Sequence, residues 1–365
     1  MTDTVSRDFL VKRDALGTTR TTTQPGPSEG DLEPGEVLFK VDVFGFSANN
    51  ITYAVMGEMM AYWNFFPAEE GWGRVPVWGF ADVIASRADG IAPGERFYGY
   101  LPMSTHLMVK ADRIDEGGFM EASMHRAELP AAYNRYARVS NDPGYRAERE
   151  AEHMLLQPLF ITSFLIDHFL EANECFGAKR VLLSSASSKT AMALAFLLSK
   201  RGGVEVVGLT SKGNMEFVKG LGFYDQVIKY DDLASLDAGE KIVYVDMSGD
   251  GELRTALHNH FTDNMAYSCM VGATHYDKLG GARDLPGPEP VLFFAPGYAK
   301  ESALDWGSAE LQAGLAEVWT AFVDSARDWM DVTPAKGEAQ VKHAYLNMLE
   351  GKADPRVGYV LSLFD

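Results

Sequence analysis

Cysteine is almost absent: Cys175 and Cys269 are the only two in 365 residues. Two thiols cannot form a disulfide framework, and no Cys/His spacing resembles a zinc cage. Positive charge is scarce as well. Lys and Arg number 33 against 51 Asp and Glu, a net charge of −18. Nucleic acid and anionic membranes would be repelled by such a surface, and neither is expected as a partner. No run of about 18 apolar residues is evident, and the first residues carry no apolar signal core; a cytoplasmic protein is expected. There is no internal repeat or low-complexity block. What remains is an ordinary globular composition, 46% hydrophobic and 23% charged, in a chain long enough for two domains.

The stretch 177–230 organises the rest. A short apolar run at 181–185 leads into Ala186-Ser187-Ser188-Lys189-Thr190, then a helical run to Leu198, then a second strand-like run at 204–209. Strand, small-residue loop, helix and strand make half of a nucleotide-binding βαβ unit, whose loop and helix N-terminus offer N–H groups to phosphate. Three readings of the loop stand side by side. A dinucleotide fingerprint would want glycines where Ser184, Ser185, Ser187 and Ser188 stand. A P-loop keeps only Lys189-Thr190 of its pattern, with Leu183 and Ser188 at its glycine positions. An ordinary α/β helix with a polar first turn needs neither. After the second strand, an NAD site would carry Asp or Glu for the ribose 2′-OH. Here Thr210-Ser211-Lys212-Gly213-Asn214 follows, with no carboxylate before Glu216. Hydroxyls and an ammonium suit a 2′-phosphate, so the expected cofactor is NADP; a solvated Ser-Lys turn is the alternative. The expected cofactor-binding set is Ser185, Ala186, Ser187, Ser188, Lys189, Thr190, Ser211, Lys212, Asn214, Tyr230, Met247 and Ser248. Asp246, beside the last two, either faces a cofactor ribose or caps the following helix.

Before this stretch the chain reads as an irregular β domain with Gly/Pro turns. Residues 37–46 alternate as a strand and run into Ser47-Ala48-Asn49-Asn50-Ile51-Thr52-Tyr53, read as a polar pocket of amides and a phenol. The loop-like segment 56–78 is crowded with Tyr62, Trp63, Phe65, Phe66, Trp72 and Trp78. Such a cluster is either a satellite core or the wall of an apolar substrate pocket, and Trp63, Phe65, Phe66, Trp72, Trp78 and Phe294 form the expected substrate set. Residues 115–150, rich in charge and in Tyr133, Tyr136 and Tyr145, read as a surface excursion or lid. Helical periodicity starts near Glu150, and an α/β rhythm follows to a last strand at 359–364. The expected domains are 1–155, with 335–365 returning to it, and 156–334.

Several of these stretches carry a resemblance. Residues 41–49 (Val-Asp-Val-Phe-Gly-Phe-Ser-Ala-Asn), Pro93-Gly94-Glu95-Arg96-Phe97, 217–223 followed by Val227-Ile228-Lys229-Tyr230, and the closing 352–363 are similar to the medium-chain dehydrogenase/reductase superfamily. The branch they resemble is the zinc-independent, quinone-oxidoreductase-like one. That resemblance implies an α/β protein: a GroES-like irregular β domain, a Rossmann doubly wound parallel-sheet domain, and a cleft holding nicotinamide and substrate. Ala48 and Gly79-Phe80-Ala81 stand where zinc-dependent relatives carry Cys and Gly-His-Glu, so no metal is expected.

Without zinc, a phenol or amide must polarise the substrate or protonate it. Tyr53 is the expected acid, and Asn49 and Asn50 are the expected oxyanion or nicotinamide donors; the alternative is a packed tyrosine at a strand end. His106, His125 and His275 show no partner in sequence. The expected activity is NADP(H)-dependent reduction of an activated alkene or carbonyl on a small hydrophobic or aryl substrate, and the expected assembly is a homodimer. A redox-neutral C–C lyase or dehydratase on the same scaffold and a non-catalytic NADP-binding protein are the alternatives.

Overall fold

The runs 5–12, with buried Phe, Leu and Val, and 15–25, rich in Thr, pair first along the chain, and they set the pattern of the N-terminal half: antiparallel strands joined by tight turns. The computed structural model describes residues 5–142, 144–272, 284–302, 304, 306 and 308–365. The chain divides into two compact units, Met1–Leu155 with Asp331–Asp365, and Leu156–Met330.

In the first unit, β1 (Val5–Lys12), β2 (Ala15–Pro25) and β4 (Trp72–Gly73) form a small sheet in the order β2-β1-β4. The larger sheet contains β3 (Glu36–Phe46), β5 (Pro76–Ser86), β6 (Arg96–Pro102), β7 (His106–Asp115), β8 (Gly118–Glu121), β9 (Arg135–Arg138), β16 (Asp331–Lys336) and β17 (Val357–Ser362). Its order is β16-β17-β3-β5-β6-β9-β8-β7, and β7 also pairs with β3, which closes six of the strands into a ring. Closure removes the free edges an open sheet would leave. The C-terminal strand β17 lies antiparallel on β3, Tyr359 opposite Phe46. Helix α1 (Ala48–Val55) leaves the end of β3, and α8 (Gly337–Leu349) packs against α1 and β16. Arg96, from the Pro-Gly-Glu-Arg-Phe turn, bonds Asp42, Asp82 and Glu150 at 2.8–2.9 Å and so fixes the start of β6.

Two readings of this unit are corrected. Residues 47–53 are the entry to a helix: the Ser47 N–H donates to Asn50 Oδ1 at 2.8 Å, closing the first turn. Residues 115–150 are no surface excursion. Phe119 and Tyr136 are fully buried, and β8 and β9 supply two staves of the ring.

The second unit is built on β10 (Arg180–Leu183), β11 (Glu205–Thr210), β12 (Gln226–Lys229), β13 (Ile242–Asp246), β14 (Met265–Met270) and β15 (Val291–Leu292). All pair in parallel, in the order β12-β11-β10-β13-β14-β15, the doubly wound arrangement expected of a Rossmann sheet. The order reverses between β10 and β13. Buried residues from α2 (Glu150–Ala172) and α3 (Lys189–Arg201) pack with one face of this sheet; α5 (Gly251–Phe261) covers the other. The shorter α4 (Met215–Gly220) and α6 (Ala295–Glu301) and the long α7 (Ala309–Ala326) complete the helices among the described residues. The stretch Ala147–Ala172 is long and apolar enough to cross a membrane by length and composition, which the reading of short apolar runs passed over; 56% of its most apolar window is buried inside the protein, as for a core helix.

Candidate functional site

Each unit holds one constellation of polar groups, and the two are taken separately.

In the first unit, alternation along β6 places Tyr98 and Tyr100 on one face, and the register sets them beside Phe80 and Trp78 of β5. Onto this aromatic face fold Tyr53 from α1, Tyr62 and Phe65 from the loop after it, and Tyr133 from the turn before β9. The Tyr53 and Tyr62 rings are 4.7 Å apart, as are those of Tyr100 and Tyr133. Trp78 Nε1 donates to Tyr53 Oη at 3.3 Å, and the Tyr62 and Tyr133 hydroxyls share a bond of 3.2 Å. Burial pushes the Tyr53 pKa above its ordinary value, while the Trp78 bond, then Asn49 one helical turn away, favour the phenolate. The result is a neutral phenol whose oxygen is surrounded by donors.

The structure separates the residues expected at this site. Tyr53 and Asn49 come together with Trp78, and Phe65 and Phe66 pack into the same cluster, fully buried. Asn50 is not available: its amide spans from the Ser47 N–H to the Pro76 carbonyl, at 2.8 and 3.0 Å, so it fastens α1 to β5. Trp63 is core. Its indole lies against Gly57 and Gly73, where a Cβ would come within 2.1 and 2.5 Å of the ring. Trp72 lies on the small sheet with the Arg20 guanidinium 4.0 Å over it, and Phe294 belongs to the second unit, at the start of α6. Neither joins the cluster. His106 Nδ1 meets Thr105 Oγ1 at 3.0 Å, His125 Nε2 meets the Phe65 carbonyl at 3.3 Å, and His275 lies outside the described residues. Tyr62, named in sequence with the aromatic loop, joins the cluster, whereas Tyr98, Tyr100 and Tyr133 were not expected in it. The spacing of Tyr98 and Tyr100 along a strand was a legible signal; Tyr133, far along the chain, left none.

In the second unit, the loop after β10 turns without glycine. Ser185 takes the left-handed conformation at φ 50°, the role a glycine would fill at less strain. Its N–H donates to the Tyr230 hydroxyl at 3.0 Å, which joins the ends of β10 and β12. Ser188 caps α3 by accepting from Ala191 N at 3.3 Å, and Asn214 Nδ2 donates to Ser187 Oγ at 3.0 Å. Ser185, Ala186, Ser187, Ser188, Asn214 and Tyr230 are thus brought to one place, with Ser211 and Lys212 exposed on the adjoining turn. Lys189 is buried, and the Thr190 carbonyl accepts from Ser163 Oγ at 2.8 Å. Met247 and Ser248 also turn inward, Met247 into the apolar core and Ser248 onto Asp246 at 2.7 Å.

Asp246, at the end of β13, does not cap the following helix and is held by groups of the chain itself. Its Oδ1 accepts from Ser184 Oγ, Ser248 Oγ and the N–H groups of Ser248 and Gly249, and Oδ2 accepts from Arg254 at 3.0 Å. The helix cap is Asp250, which accepts from Glu252 N and Leu253 N. Both carboxylates beneath the loop are therefore satisfied internally. A helix N-terminus, a run of hydroxyls and an exposed ammonium remain outside them, and this donor set fits a phosphate-bearing dinucleotide. Among the described residues, no three His, Cys, Asp or Glu side chains converge to hold a metal ion.

Solved structures share the architecture. CurA from Vibrio vulnificus in complex with NADPH matches with a TM-score of 0.63 at 12% identity, over 98% of this chain and 99% of that one. The yhdH oxidoreductase from Salmonella enterica in complex with NADP matches with 0.51 at 13% identity, over 98% and 99%. The quinone oxidoreductase from Coxiella burnetii gives 0.51 at 13%, over 98% and 99%. At such identities the likeness is one of fold, the two-unit fold of these oxidoreductases. No curated protein matches the sequence. The family model described as "Protein of unknown function (DUF2855)" matches residues 44–354, most of both units, and the chain belongs to that family.

Proposed function

We propose that the protein is an NADP(H)-dependent, metal-independent oxidoreductase that reduces an activated alkene or carbonyl on a small hydrophobic or aryl substrate. The observation that carries this reading is the donor set beyond β11: Ser211, Lys212 and Asn214 where an NAD site would hold a carboxylate, beside the serine loop and the start of α3. The fold likeness to NADP(H)-bound oxidoreductases supports it. Bound NADPH would supply a hydride. The chain's own residues do the rest. The loop and α3 hold the pyrophosphate, and Ser211 and Lys212 hold the 2′-phosphate. In the first unit, Tyr53 Oη holds a proton for the anion that develops on the substrate, with Trp78 Nε1–H placed to stabilise the phenolate left behind.

Fluorescence titration tests the cofactor. NADPH is expected to bind about tenfold to a hundredfold more tightly than NADH, since a charge-assisted contact contributes roughly 1.5–3 kcal/mol. Lys212→Ala should remove most of that difference. Equal affinities in the parent protein, or no binding of either, would sink the reading. Turnover is also expected to be unchanged after dialysis against a chelator, because a phenol takes the place a metal would have. Activity lost on chelation and restored by zinc would refute it.

A further inference from the structure

In the second unit the loop between β10 and α3 turns on a serine at φ 50°, a backbone state that few residues other than glycine adopt. Such strain persists only where the surroundings over-determine it. Here they do so group by group. The Ser185 N–H donates to Tyr230 Oη at 3.0 Å. The Ser185 carbonyl accepts from Ser188 N at 2.7 Å, and Ala186 N donates to the Leu209 carbonyl at 3.0 Å. The Ala186 carbonyl accepts from Tyr224 Oη at 2.8 Å. Every backbone polar group from Ser185 N to Ala186 O is therefore bonded. The two inner bonds are made by the main chain, and the two outer ones come from tyrosine side chains. Tyr224 reaches the loop across Gly208 of β11, where a Cβ would lie 2.9 Å from the Tyr224 ring and 3.0 Å from Ala186 Cβ. Glycine is absent from the loop and present beneath it.

We propose that Tyr230 and Tyr224 are positioning residues that stand in for a loop glycine. Their hydroxyls hold Ser185 at positive φ and so keep the serine loop and the first turn of α3 in the shape that takes a pyrophosphate. A glycine would hold that shape without help. The ligand named here rests on the NADP(H) reading; the brace itself rests on the bonded, strained serine. A brace also differs from a direct contact in what it affects. The pyrophosphate is common to NADPH and NADH, whereas the 2′-phosphate belongs to NADPH alone.

The test combines Tyr230→Phe and Tyr224→Phe, each in turn, with Ser185→Gly in the full chain. Fluorescence titration reads NADPH and NADH affinity, and urea unfolding reads stability. Alone, each Tyr→Phe change is expected to weaken both cofactors by the same factor, about threefold to tenfold, the worth of one hydrogen bond. Beside Ser185→Gly the loss should shrink to less than about twofold, because glycine has no bias against the required φ. Stability should respond in the opposite sense. An unbraced serine relaxes and recovers part of its strain, while a glycine has none to recover. Each Tyr→Phe change should therefore lower the urea midpoint more beside Ser185→Gly than alone. Affinity losses equal with and without Ser185→Gly, or no loss in either Tyr→Phe variant, would overturn the proposal. So would a loss confined to NADPH, since the phenol would then be touching the 2′-phosphate itself, and so would additive midpoint shifts. If the parent binds neither cofactor, the NADP(H) reading falls, and the midpoints alone decide whether the tyrosines hold the serine.

Discussion

Tyr53→Phe is expected to lower turnover by about 10²–10⁴-fold, the usual worth of a positioned general acid, with NADPH affinity unchanged. The change keeps the ring against Tyr62 and Tyr100 and deletes only the oxygen that accepts from Trp78. The Trp78 N–H loses its acceptor inside the cluster, so the cost to folding is about 1–3 kcal/mol, which urea unfolding reads separately from turnover. The pH profile gives a second check. A general acid works in its protonated form. Burial raises the Tyr53 pKa above 10.0, so the working form is complete at neutral pH and is lost only as pH rises beyond that value. The parent's rate should therefore show no alkaline fall from this group below about pH 10. Asn49→Ala separates the amide from the phenol. If Tyr53→Phe turns over like the parent while Asn49→Ala abolishes turnover, the phenol is packing and the amide carries the chemistry.

That comparison is needed because the sequence shows local order well and long-range convergence poorly. The strand, loop, helix and strand of 180–210 were legible because apolar period and small-residue punctuation are properties of neighbours. The serine at 185 obscured the turn only for a reader who demands glycine; φ 50° shows a serine bearing the strain instead. Asn50 misled in the opposite way. Its amide type suggested a donor to a ligand, but its partners are Ser47, three residues away, and Pro76, which no local pattern links to it. Trp63 resembled a pocket wall, but Gly57 and Gly73 pack directly against its indole, one at the pyrrole ring and one at the benzene ring. β2 is hard to see in sequence because its polar, Thr-rich side chains hide the alternation of a strand that lies at a sheet edge. The phenol cluster draws on α1, the following loop, β5, β6 and the turn before β9, and closure of the ring brings them together.

The second large effect belongs to a residue that no motif singled out. Arg254→Met is expected to destabilise the protein by about 3 kcal/mol, the low end for breaking a buried ion pair from one side. Asp246 is 1% exposed and Arg254 12%, so the carboxylate left behind cannot be reached by water to replace the guanidinium. The low end applies because Asp246 keeps four donors on Oδ1: two serine hydroxyls and two backbone N–H groups. Those donors reach across the point where the strand order reverses. Ser184 Oγ gives its proton to Asp246 and accepts from the N–H groups of Met247 and Ser248 at 3.0 and 3.1 Å, so the end of β10 is tied to the end of β13. Losing Arg254 leaves a net negative charge beneath the serine loop, and NADPH affinity should fall with stability. Adding Asp246→Asn to Arg254→Met removes that charge and keeps an oxygen for the same donors. The double variant should then be more stable than Arg254→Met alone, by more than the usual 0.3–0.5 kcal/mol scatter of independent sites. Urea unfolding of the parent, both single variants and the double variant measures the coupling. Strictly additive midpoint shifts, or an Arg254→Met protein as stable as the parent, would show that the serine and backbone donors hold Asp246 without the guanidinium.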